Sequence, residues 1–289
     1  MSIPNEDRKL NEIGARLEQL FNISNAILEH CVKTITLYEP GLAVSEINDE
    51  PVRYRVSHAI CAKACKSFRA SIVLAGIGAG EELKVVSRTL FETFVAANFV
   101  LRERLFISNA IGELSAEFRA KLYLAHGILK RYDKMEELKA SSQFDSSVPN
   151  ESVIRTEAEA ATADIGEEWA RRLRRRPRTY SSLSLRDLVD RFDEPAYAHW
   201  YGFIYSEQSQ HVHASDPTSH IKYDEAESRF VVDWFPPIRD IGLSLAVNGI
   251  LLGGCFLHLN EYCRFEAAVN DELSHLISEM HAFTDQPGT

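Results

Sequence analysis

Two short segments of this chain place chemistry-bearing groups on helices where the surrounding pattern expects core. The first is RTLFE, residues 88–92, in a stretch otherwise rich in Leu, Val and Phe. Arg88 and Glu92 lie four apart and share a helical face. With the base N-terminal to the acid, the pair has the less favourable orientation for helix stability, so a purely local role explains it poorly. The second is YGFIYSEQSQHVH, residues 201–213. On an α-helix, steps of four put Tyr205, Ser209 and His213 on one stripe that drifts about 40° per step, and His211 points away from it. Such a face can donate and accept protons near neutral pH, because the histidine pKa lies close to about 6.5. The alternative is architectural: a buried ion pair and a hydroxyl–imidazole pair that satisfy one another across helix interfaces.

A third feature is charge. Arg171, Arg172, Arg174, Arg175, Arg176 and Arg178 fall within eight residues of an otherwise acidic chain. Concentrated guanidinium charge is how a phosphate-contacting patch looks in a sequence. The competing account is intramolecular. Glu157, Glu159, Asp164, Glu167 and Glu168 precede the run, and Glu167–Arg171 and Glu168–Arg172 have favourable i,i+4 spacing.

Metal ligation finds less support. His58, Cys61 and Cys65 could share a face, and His211, His213 and His220 lie close together in sequence, yet neither set has the four ligands of a structural zinc site. Cys61 and Cys65 read as small core residues. No metal and no cofactor enters the expected site.

These residues must be positioned by helices. Apolar residues recur with a period of 3.6 from Asn5 to about Tyr38, and helical patterns cover residues 51–74, 81–104 and 115–138. The glycines at 76, 78 and 80 lack the strand before and the Lys-Ser/Thr after that a phosphate loop requires, and are expected to cap and hinge two helices. Residues 141–152 read as a mobile polar loop, and Pro177 should end the charged helix. Ser184 with Asp187 forms an approximate capping box, and Pro195 can open the helix that runs to His213. The clear strand signal is a hairpin near residues 221–235. A last long helix or helix pair fills residues 238–283. Its apolar portion, residues 241–259, approaches a membrane span in length, but carries Ser244, Asn248, His258 and four glycines and is expected to be a buried central helix.

RTLFE in one hydrophobic helix, then about a hundred residues later a Y-x3-S-x3-H helix, a short hairpin and a long C-terminal helix, resembles the bacterial domain-of-unknown-function family 5677. That family looks like a distant relative of the HEPN helical domains. The similarity would cover residues 50–265. The resemblance implies a helical bundle in which Arg88, Glu92, Tyr205, Ser209 and His213 join across two helices. Many HEPN proteins are metal-independent ribonucleases of toxin–antitoxin and phage-defence systems, usually dimeric. Their motif is an Arg and a His with four to six residues between them. Here Gln208, Glu207 and Ser206 occupy those positions before His213, so the guanidinium would come from Arg88 on another helix.

Composition bounds the answer. The chain has 289 residues, 45% hydrophobic, with 32 Lys+Arg against 42 Asp+Glu and a net charge of −10. That is a globular composition, which excludes disorder as the whole answer. Only 14 Gly and 10 Pro argue against a turn-rich all-β fold. The N-terminus lacks the features of a secretory signal and five scattered cysteines suggest reduced thiols, so a cytoplasmic location without a membrane is expected. The reading is therefore an all-α, HEPN-like multi-helix bundle with a small β-hairpin. Residues 1–48 form an amphipathic helix packed on a bundle domain of residues 49–289. The expected activity is metal-independent RNA cleavage or another nucleotide reaction, with RNA, an antitoxin or other protein, or a second copy as partners. The alternative is a non-catalytic helical module that binds a protein or nucleic acid.

Overall fold

The computed structural model describes residues 4–108, 111–141, 150–175, 179–192, 194–207, 221–224, 229–232 and 238–284. The fold is all-α with small β-hairpins. Helices α1 (Pro4–Leu37), α2 (Val44–Asp49), α3 (Pro51–Gly76) and α4 (Gly80–Leu101) lead to a hairpin of β1 (Phe106–Ser108) and β2 (Gly112–Glu113). Then come α5 (Ala116–Ala140), α6 (Glu151–Ile165), α7 (Glu167–Arg175), α8 (Leu185–Asp190) and α9 (Pro195–Tyr201). A π-helical turn, Gly202–Glu207, follows α9. The antiparallel pair β3 (Ile221–Asp224) and β4 (Arg229–Val232) precedes α10 (Ile238–Cys263) and α11 (Ala267–Thr284).

The chain divides into two compact units. One comprises residues 1–41, 60–94 and 199–289, and the other residues 42–59 and 95–198. Helices α3 and α4 each contribute to both.

In the first unit α1 packs on α10 and α11, and α10 and α11 pack on each other. The α10 segment 240–263 is long and apolar enough to cross a membrane by length and composition, and most of it is buried inside the protein. Its glycines have a packing reason. A Cβ at Gly253 would overlap the Ile277 side chain, and one at Gly254 would lie 2.7 Å from Phe94 Cε2, so these positions let α11 and α4 approach closely. At its centre Asn248 Nδ2 donates to Ser71 Oγ at 2.9 Å. The glycine triplet caps α3, as its spacing suggests. Gly78 has φ +76°, Ala79 N–H donates to Leu74 C=O at 2.9 Å and Gly78 N–H to Ala75 C=O at 3.1 Å, the paired bonds of a Schellman cap. Arg264, at φ 54°, ends α10 the same way, with Phe265 N–H donating to Asn260 C=O.

In the second unit α5, α6 and α7 pack on one another. Two buried arginines close the C-terminus of α4. Arg119 donates to the carbonyls of Phe99, Leu114 and Arg102. Arg53 donates to Leu101 C=O at 2.7 Å and pairs with Glu50 and Glu103, each at 2.8 Å. The last carbonyls of a helix have no intrahelical partner and carry partial negative charge, so guanidinium groups there satisfy both needs.

Several boundaries differ from the sequence reading. Glu151 and Ser152 open α6 rather than close a loop, so the polar stretch assigned to residues 141–152 is shorter, and residues 142–149 lie outside the described ones. The charged segment breaks at Gly166, φ +82°, into α6 and α7. The β1–β2 pair is too short to leave a periodic signal. The helix from Pro195 is α-helical only to Tyr201. From Gly202 it widens into a π turn, so the 100° phase assumed for the Tyr205 stripe does not hold there.

Candidate functional site

The site is built on one face of α4. Leu83, Ser87, Leu90, Phe91 and Phe94 fill the core side of that helix. The same 3.6-residue period turns Arg88 and Glu92 outward, where their side chains are 29% and 49% exposed. The pair is therefore half-open rather than sealed. Arg88 Nε reaches Glu92 Oε1 at 3.4 Å, a long bond that fits the unfavourable order of the two residues.

Tyr205 completes the cluster. Its hydroxyl donates to Glu92 Oε1, and Arg88 Cζ lies 4.6 Å from its ring centroid. The π turn presents the ring to α4: Phe91 stands against it at 6.1 Å and 63°, and Tyr201 stacks on it at 4.9 Å and 11°. A π turn places residues at a spacing that an α-helix cannot reach, and such turns recur at functional sites.

The electrostatics are coupled. Burial, then the hydrogen bond to Glu92 and the charge of that carboxylate, hold the Tyr205 hydroxyl well above the usual phenol value. Tyr205 is thus a donor and not a base near neutral pH. Partial burial works to lower the Arg88 pKa, but the hydrogen bonds and charges of Tyr205 and Glu92 outweigh it and raise the value. Arg88 is a fixed cation whose position is set by a carboxylate and an aromatic face.

Of the five residues predicted to converge, the structure brings Arg88, Glu92 and Tyr205 together; Ser209 and His213 lie outside the described residues. Tyr201 bounded the sequence motif but received no role. Its spacing of four from Tyr205 was the available signal, since aromatic pairs at that spacing meet on a helix.

The arginine run falls into place only in part. Arg176 and Arg178 lie outside the described residues. Arg171 and Arg175 are exposed on α7. Arg172 pairs with Glu168 and lies 5.2 Å from the Trp169 ring, and Arg174 Nε contacts Asp133 Oδ1 at 3.3 Å. The expected i,i+4 pairing is present at Glu168–Arg172. Glu157 instead bonds to Arg131 of α5.

Of the candidate metal ligands, His211, His213 and His220 lie outside the described residues, and the others are buried or bonded elsewhere. Cys61 and Cys65 are buried, with Cys61 Sγ 3.8 Å from Cys255 C=O, and His58 Nδ1 is 2.8 Å from Tyr54 C=O. Among the described residues no group of three His, Cys, Asp or Glu side chains could hold a metal ion.

A family model described as a family of unknown function, DUF5677, matches residues 54–228. The match takes in most of α3, all of α4 and the segment from Tyr201 to His213, and stops before α10, short of the C-terminal limit expected from the motifs. No curated protein and no solved structure matches the chain. Covering more than half of its length, the family match shows that the chain belongs to the DUF5677 family.

Proposed function

We propose that this protein is a HEPN-like, metal-independent ribonuclease whose phosphate-facing cation is Arg88. The observation that carries the reading is the half-exposed cluster of Arg88, Glu92 and Tyr205, drawn from two distant segments, of which the second runs on toward Ser209 and His213. In the proposed reaction His213 takes the ribose 2′-hydroxyl proton, the 2′-oxygen attacks phosphorus, and the bond to the 5′-oxygen breaks. The products are a 2′,3′-cyclic phosphate and a 5′-hydroxyl, the leaving oxygen receiving a proton from the imidazolium. Arg88 stabilises the charge that develops on the phosphorane oxygens. Glu92 holds Arg88, Tyr205 donates to Glu92, and Ser209 orients the imidazole.

A defence or toxin–antitoxin setting, with an antitoxin or a second copy as partner, is part of the same proposal. The exposed Arg171 and Arg175 of α7, with the rest of the arginine run, would add sequence-independent phosphate contacts. The second reading, a non-catalytic module binding a protein or nucleic-acid partner, draws on the same geometry: the hydrogen bond of Tyr205 to Glu92 also fastens the π turn to α4. An RNA-cleavage assay in the presence of a chelator separates them. Wild-type cleavage lost in His213→Ala and Arg88→Ala supports the enzyme. Absent wild-type cleavage, or equal cleavage in all three, removes it.

A further inference from the structure

We infer that Tyr201 and Tyr205 form a stacking platform for the bases of single-stranded RNA, an assignment that rests on the RNA-directed reading above and names the form of its substrate. The two rings are nearly parallel, at 11° and 4.9 Å between centroids, which is the arrangement of stacked planes. The Arg88 guanidinium, itself planar, lies 4.6 Å from the Tyr205 centroid. Three flat groups therefore gather at one half-buried surface, and Phe91, fully buried beneath them, fixes both tyrosines by its contacts at 6.1 and 6.3 Å.

Phe91 meets the Tyr205 ring edge-on at 63°, as Phe94 meets Trp200 at 64° nearby, and so covers the inner side of the pair. Both tyrosines remain partly solvated, which leaves ring surface open to a further plane. Nucleobases supply such planes. Every base has a π-face, stacking on aromatic side chains does not depend on sequence, and a neighbouring guanidinium matches the phosphate that follows each base. A duplex hides its base faces, so the platform selects unpaired strands. Tyr201 is then a positioning residue. It sets the strand against Arg88 and touches no reacting atom.

The test is fluorescence-anisotropy binding of a labelled single-stranded oligoribonucleotide, at fixed salt, beside a duplex of equal length. It uses wild type, Tyr201→Leu, Tyr201→Phe and Tyr201→Trp, with cleavage of the same strand measured in parallel. Tyr201→Leu should weaken single-strand binding by about tenfold, the scale of one lost base stack, while Tyr201→Phe binds as wild type and the duplex binds more weakly throughout. If Tyr201→Leu does not fold, Tyr201→Trp carries the test. Its added tryptophan emission should be quenched by the oligonucleotide, and unquenched emission with binding intact overturns the platform. Binding and cleavage that are indifferent to Tyr201→Leu overturn the platform and leave the ribonuclease reading standing. Tyr201-dependent binding without cleavage sustains the platform and removes the ribonuclease. Absence of both in wild type overturns both.

Discussion

The hydroxyl of Tyr205 donates to the carboxylate of Glu92 across 113 residues of sequence, and Glu92 also receives Arg88 from one turn earlier on the same helix. One carboxylate thus ties a π turn to a helix face and holds a cation beside it.

Because these side chains are part-solvated, their contribution to folding is small. Exposed ion pairs are worth about 0–1 kcal/mol and a surface cation–π contact about 0.5–1 kcal/mol. Arg88→Ala and Tyr205→Phe are therefore expected to lower the unfolding free energy by less than about 1.5 kcal/mol each, in guanidinium titrations followed by circular dichroism. A loss of several kcal/mol would mean that the cluster is a structural keystone instead of an open site.

Arg119 should behave oppositely. It is fully buried, and burial together with the charge of Arg53 lowers its pKa to about 10, so it stays charged at neutral pH. Arg119→Ala leaves the carbonyls of Phe99, Leu114 and Arg102 without their donor. The expected cost is about 3–5 kcal/mol, read from the same titration. A cost under about 1 kcal/mol would show that water replaces the guanidinium.

Two glycines make a contrasting pair. Alanine at Gly254 would push its Cβ to 2.7 Å from Phe94 Cε2, against a ring that is itself buried, and should destabilise by about 1–3 kcal/mol. Alanine at Gly127 in α5 meets nothing within 4 Å and should stabilise by about 0.5–1 kcal/mol through helix propensity. Thermal melts of the two variants check both signs at once.

His58 gives a pH signature. Burial lowers its pKa from 6.5, against an opposing hydrogen bond with Tyr54 C=O. The folded protein therefore binds this proton less readily than the unfolded chain. Its contribution to stability is complete above 6.5 and is lost as the pH falls through the lower folded value, so stability rises with pH across that window. The difference in unfolding free energy between about pH 5 and pH 7.5 should shrink in His58→Gln. An unchanged difference would assign the dependence to other groups.

Much of the architecture was legible in the sequence because its signals are local. The 3.6-residue period of α1, α4 and α5, the Schellman glycine at 78 and the capping box at Ser184 and Asp187 each follow from chemistry within one turn of chain. Arg88 and Glu92 stood out for the same reason. What escaped depends on partners remote in sequence. The tether of Arg53 and Arg119 to the end of α4 and the close approach of α11 at Gly253 leave no periodic trace. The π turn leaves no mark in residue type, so an α-helical phase read through Gly202 fails there, whereas the stacking of Tyr201 on Tyr205 is signalled by their spacing of four.

The most direct measurement is cleavage of a single-stranded RNA by purified wild-type protein beside His213→Ala and Arg88→Ala, each shown to be folded. Wild type should leave 2′,3′-cyclic phosphate ends, and either variant should lose at least about a hundredfold in rate, the scale of a missing general base or oxyanion donor. Full activity in Arg88→Ala would overturn the assignment, because the cation that Glu92 and Tyr205 hold would then have no part in the chemistry.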